Sequence, residues 1–103
     1  MNPTRLFVLG ALARRGPMYG HQLRRGARLD RAGLWSEVRP GSLYGALHRL
    51  AARRWVEAEW GQSENGRRAK YYSLTPAGRG QLRAQAATWA RYARAVERVL
   101  GTA

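Results

Sequence analysis

Residues 40–74 read PGSLYGALHRLAARRWVEAEWGQSENGRRAKYYSL, and the order of patterns in that stretch decides the fold. Pro40–Arg53 is helical by its spacing. Leu43, Ala46, Leu47 and Leu50 recur at i, i+3, i+4 and i+7, a stripe able to dock on a core. Gly45, His48, Arg49 and Ala52 take the other side, with Ser42, Tyr44 and Arg53 on the flanks and no acidic residue among them. Pro40, Gly41 and Ser42 can each mark the start. A helix whose outer face carries small residues, hydrogen-bonding groups and cations suits a groove of DNA. Next, Val56, Ala58 and Trp60 alternate with Glu57 and Glu59, a period-two strand. GQSENG, residues 61–66, is a polar turn closing on Asn65-Gly66. Residues 67–74 return as RRAKYYSL, basic at first and aromatic later. A hairpin with a basic tip directly after such a helix makes a winged helix-turn-helix. The expected fold is mainly α with a small β-hairpin.

Upstream, Asn2-Pro3 supplies a capping side chain and a proline at the first helical position. Leu6, Phe7, Val8, Leu9, Ala11 and Leu12 follow, apolar almost all round, as in a helix covered on both sides. Arg14-Arg15-Gly16 ends it. Residues 17–20, PMYG, are an extended link or minimal strand. A second helix is expected from His21 to about Leu29, with Leu23, Ala27 and Leu34 as a thin apolar stripe; Gly26 weakens it by roughly 1 kcal/mol relative to alanine. Asp30–Arg39 is a loop anchored by Leu34, Trp35 and Val38.

Downstream, Thr75-Pro76 repeats the cap-then-proline start. The last helix should run to about Leu100, roughly 37 Å at 1.5 Å per residue. Leu82, Ala86, Trp89, Ala93, Val96 and Leu100 step by four and three, a heptad seam. A helix that long overhangs a small domain, so a two-chain bundle of C-terminal helices, joined by Leu6 and Leu9 of the first helix, is the economical reading. Trp89, between Ala86 and Ala93, either packs in that bundle or forms one wall of a flat pocket for a small aromatic effector. The organisation expected is a winged helix unit over residues 1–75 and a dimerisation helix over residues 76–103.

Composition narrows the partners. Of 103 residues, 19 are basic and 6 acidic, a net charge of +13; Lys70 is the one lysine, so 18 are arginine. A field of that sign favours polyanions, nucleic acid ahead of anionic membrane. Arginine fits phosphate and guanine edges bidentately, although arginine abundance is also what a GC-rich genome produces. There is no cysteine, hence no disulfide or thiolate chemistry, which suits a reducing cytoplasm. The longest apolar run, Leu6–Ala13, is too short to span a bilayer, so no membrane partner is expected. Two histidines and one aspartate form no catalytic or metal-ligating pattern, so neither an enzyme nor a metal or organic cofactor is expected.

The residues Tyr19-Gly20 with Leu23, Gly41-Ser42-Leu43-Tyr44 with Leu47 and Leu50, Gly66-Arg67-Arg68, Lys70-Tyr71-Tyr72, Leu74-Thr75, Gly78-Arg79 and Leu82 form a specific series. On these residues the chain resembles the PadR family of bacterial transcriptional regulators, in its short branch with a single C-terminal helix. The resemblance covers roughly Thr4 to Leu100. It implies a winged helix dimer on a palindromic operator, usually a repressor. It also implies a third helix in the major groove, a wing of Arg67–Lys70 on backbone or minor groove, and dimerisation through the last helix. Some relatives of this branch sense planar drugs with a tryptophan where Trp89 stands. The DNA-contact set is then Tyr19, Ser42, Tyr44, His48, Arg49, Arg53, Arg67, Arg68 and Lys70. A charge-driven nucleic-acid packaging protein and a protein-interaction adaptor are the alternatives.

There are departures from the family pattern. Arg54 stands where the family has glycine. A left-handed conformation there would cost arginine roughly 1 kcal/mol or more, so the helix is expected to end differently. Trp55 replaces a smaller aliphatic. Arg24, Arg25 and Arg28 with Gly26 make the second helix more basic and less rigid than usual.

Overall fold

The computed structural model describes residues 3–28 and 39–101. Their elements run α1 (Pro3–Arg15), β1 (Met18–Tyr19), α2 (Gly20–Arg28), α3 (Pro40–Ala52), β2 (Val56–Gln62), β3 (Arg68–Leu74) and α4 (Pro76–Leu100). The expected loop anchors Leu34, Trp35 and Val38 lie outside the described residues.

The core forms where the helical stripes meet. Leu43, Ala46, Leu47 and Leu50 of α3 are buried, together with Phe7, Val8, Leu9 and Leu12 of α1, Leu23 and Ala27 of α2, and Met18 and Val56 of the sheet. Each large aliphatic so buried contributes about 1.5–3 kcal/mol. Leu9 has no exposed surface, which corrects its assignment to a dimer interface: the α1 stripe consumes it within its own chain. Leu6 stays half-exposed. The second helix forms without a break through Gly26, because Phe7 of α1 packs over that position and tertiary contact outweighs a weak intrinsic propensity.

The sheet has the order β1-β3-β2, all antiparallel. The extended link is a true strand: Met18 pairs with Tyr72 and Tyr19 with Tyr71. The hairpin pairs Val56 with Leu74 at its base and Gln62 with Arg68 near its tip. Its turn closes through Ser63 N–H to the Arg67 carbonyl (2.7 Å) and Gly66 N–H to the Ser63 carbonyl (2.9 Å). Val56, Ala58 and Trp60 share one face, but only Val56 reaches the core, because the hairpin runs out beyond the helices.

Arg39 caps α3 from an extended conformation, with Pro40 in the first turn. At the other end Arg54 takes φ +60°, contrary to the expectation that the helix would end differently. Arg54 N–H reaches the Ala51 carbonyl and Trp55 N–H the Leu50 carbonyl, both at 3.0 Å. That pair of bonds is a Schellman ending, and the half-buried Trp55 packs against the core behind it. Thr75, at the far end of the hairpin, holds the arginine in place. Its hydroxyl donates to the Arg54 carbonyl (2.7 Å) and its N–H to the Trp55 carbonyl (3.1 Å). Arg54→Gly is therefore expected to raise stability by about 1 kcal/mol, read from urea midpoints at constant slope.

Thr75 also caps α4, its hydroxyl oxygen accepting from Gly78 N–H at 3.0 Å. Leu82 packs on the core. Beyond it α4 leaves the domain, and of residues 83–101 only Gln85 and Ala95 are even half-covered. Gly101, left-handed at φ +71°, ends the helix.

Candidate nucleic-acid interface

The division of α3 into two faces is the first feature of the site. While its leucines lie in the core, Ser42, Tyr44, His48, Arg49 and Arg53 are exposed. The Arg49 guanidinium lies back along the helix over Gly45, 3.7 Å from where a Cβ would be. Arg53 stands at the helix end with its guanidinium 5.1 Å from the Trp55 ring centroid. Tyr44 is fixed from beneath. Its ring lies against Gly20 at the start of α2, where a Cβ would come within 2.7 Å of the ring. Any larger residue at 20 would displace Tyr44 from the α3 surface.

The hairpin tip is the second feature. Arg67, Arg68 and Lys70 are all exposed. Register divides Arg68 and Lys70 from Tyr19: these two share the face of Tyr72, whereas Tyr19 is paired with Tyr71 on the other face. There Tyr19 meets Tyr71 edge-on (5.2 Å) and stacks near His21 (6.5 Å). Eight of the nine proposed DNA contacts thus lie on α3 or the wing, and Tyr19 stands apart on the sheet's opposite side.

The wing also carries contacts that sequence spacing does not single out. Burial raises the Tyr72 pKa above its usual value, and nearby Tyr44 adds to the rise. Lys70 Nζ lies 6.0 Å from the Tyr72 ring and 5.9 Å from Trp60. Lys70 therefore links Tyr72 and Trp60 along the wing. Trp60 is the residue whose part in that link depends most on strand register, and only the pairing of β2 with β3 reveals it.

The proposed dimer residues on α4 are open. Trp89, Val96 and Leu100 are 52%, 54% and 69% exposed, Ala86 and Ala93 are exposed beside them, and Trp89 meets Tyr92 at 6.3 Å. Leu82 is partly spent on its own core. Leu6 and Leu82 line a groove of about 950 Å³ that also includes Phe7, Ala11 and Met18. Among the described residues, no group of three or more potential ligands that could hold a metal occurs, and no helix is long and apolar enough to cross a membrane.

The sequence profile of the transcriptional regulator PadR-like family matches residues 8–84, from the first helix through the wing to Arg83 and Ala84 of α4. The chain belongs to that family. Solved PadR structures are similar throughout. One is a PadR-like transcriptional regulator from Bacillus cereus, 26% identical with a TM-score of 0.78, covering 93% of this chain and 89% of that one. A PadR family regulator from Clostridium difficile has a TM-score of 0.77, covers 96% and 98%, and at 22% identity shows the shared fold alone. A 37.1 kDa protein of a Streptomyces fradiae transposon is 39% identical over 90 residues, 87% of this chain. The chain spans only 24% of that relative's length. PadR proteins are a regulator family, not an enzyme family.

Proposed function

We propose that the chain is a dimeric DNA-binding transcriptional regulator that represses by occupying a palindromic operator. The observation carrying this reading is the α3 surface, apolar residues buried and a cationic, acid-free face exposed, followed in the chain by a hairpin with exposed cations. In this reading α3 enters the major groove, Arg49 donates bidentately to a guanine edge, and Tyr44 meets a phosphate or a thymine methyl. Ser42, His48 and Arg53 flank that contact. Arg67, Arg68 and Lys70 engage the backbone and fix the register. Two copies pair along Leu82, Ala86, Trp89, Ala93, Val96 and Leu100, the partner's seam covering the groove beside Leu6. The two-fold axis of such a pair matches two half-sites.

Arg49→Ala is expected to reduce discrimination between operator and mixed sequence, by about 1–3 kcal/mol. Arg67→Ala and Lys70→Ala are expected to weaken binding to every sequence and to lower the slope of log K against log salt by about 0.9 each. Fluorescence anisotropy on both duplexes across a salt series separates the two classes. Identical behaviour of all three variants contradicts the division of labour. The charge of +13 also favours a packaging protein, which would cover DNA uniformly in a footprint; an adaptor would dimerise and retard no DNA at all.

Release of the operator is assigned to a planar aromatic ligand stacking on Trp89, which the exposed ring and small neighbours support. Such compounds should quench tryptophan emission in the wild type and lose most of that effect in Trp89→Ala. Unchanged quenching in the variant removes the effector from this reading.

A further inference from the structure

Trp60 is a large aromatic residue left 56% exposed on the same sheet face that buries Val56. Its surroundings are cationic. The Arg68 guanidinium lies 4.2 Å from the indole centroid and Lys70 Nζ 5.9 Å from it. Register explains both contacts. Trp60 is directly opposite Lys70, and Gln62 is opposite Arg68, so Arg68 is the diagonal neighbour of Trp60 on one face. Lys70 Nζ is also 6.0 Å from the Tyr72 ring, between the two aromatics.

Two cations two residues apart on a bare strand repel and spread. The negative face of the indole offsets that repulsion. Stacking engages the flat of the guanidinium and leaves its in-plane N–H groups free to donate to phosphate. The other face of the hairpin is fastened independently. Tyr71 lies over Gly61, where a Cβ would come within 3.2 Å of the ring, and its hydroxyl donates to the Gln62 carbonyl at 2.7 Å. Glu57 and Glu59 also stand on that face, so the Trp60 face is the more favourable of the two for an anion.

We infer that Trp60 is the platform of a backbone-phosphate site on the wing, positioning Arg68, with Lys70 beside it, against one strand of DNA. The inference rests on the DNA-binding reading and adds to it a residue that acts through its neighbour.

The test uses the full chain and a fluorescein-labelled mixed-sequence duplex of about 30 base pairs, in anisotropy titrations over a salt series. Trp60→Ala and Trp60→Leu are expected to weaken binding about three- to tenfold, and Trp60→Phe less than about twofold. Leucine keeps an apolar side chain and loses the π face, and a thermal midpoint unchanged from the wild type in Trp60→Leu separates the loss from a folding defect. The salt slope should fall by less than the ~0.9 removed by Arg68→Ala. In an Arg68→Ala background, Trp60→Leu should have no further effect. Wild-type affinity in Trp60→Leu, or an undiminished loss in the Arg68→Ala background, overturns the inference and leaves the DNA-binding reading standing. Absence of binding by the wild type overturns both.

Discussion

Replacing Gly78 with alanine is expected to lower stability by about 3 kcal/mol, near the top of the range for overpacking. A Cβ at this position overlaps the Trp55 carbonyl oxygen and comes within 2.7 Å of Leu74 Cδ1. Neither neighbour can give way cheaply. The Trp55 carbonyl accepts the bond from Thr75 N–H, and Trp55 N–H completes the left-handed ending of α3. The Gly78 N–H is itself tied to the Thr75 hydroxyl. One methyl group therefore strains the junction of α3, β3 and α4 together. The thermal midpoint, compared at equal protein concentration, should fall by roughly 12–20 °C. Gly80, two residues on, is the internal control: a Cβ there meets nothing within 4 Å. Gly80→Ala should be neutral to stabilising by about 1 kcal/mol. Equal melting of Gly78→Ala and wild type contradicts the packing described.

Replacing Val96 with glutamate should leave the single-chain fold intact and abolish the proposed dimer. Val96 is exposed and absent from the core, so the chain itself loses little. In a two-chain seam the same side chain would place an unpaired carboxylate among Trp89, Ala93 and Leu100, at a cost of several kcal/mol. Sedimentation should show monomers at concentrations where the wild type is dimeric. Operator affinity should fall at least about a hundredfold, since each domain must then find its half-site alone. An intact dimer removes the seam from the account.

Patterns carried by neighbours in sequence were legible. The α3 stripe, the turn at Asn65-Gly66 and the Thr75-Pro76 start all depend on residues within a few positions of one another, and each was found at its expected place. The family resemblance extended that reading to the order of the elements. What sequence did not disclose depends on contacts between distant segments. Residues 17–20 read equally as a link or a minimal strand, and the pairing of Met18 and Tyr19 with Tyr72 and Tyr71 decides for the strand. Leu9 and Leu6 look alike on an all-apolar helix, yet only packing against α3 decides which is enclosed. Arg54 is unfavourable in isolation, and its left-handed state is held by Thr75, some twenty residues away. Of the site, the α3 and wing cations were visible as charge. The support of Tyr44 by Gly20 and of Arg68 by Trp60 was not, because helix placement and strand register create it.

In the proposed complex one face, α3 with the wing, binds the DNA, rather than the net charge of the whole chain. Two double charge reversals test it at constant net charge: Arg49→Glu with Arg68→Glu on that face, and Arg94→Glu with Arg98→Glu on the exposed side of α4. Each pair lowers the charge of +13 by 4, to +9. Affinity for the duplex at ~50 mM salt is expected to fall more than about a hundredfold for the first pair and less than about threefold for the second. Equal losses, or a greater loss in the α4 pair, would contradict the claim.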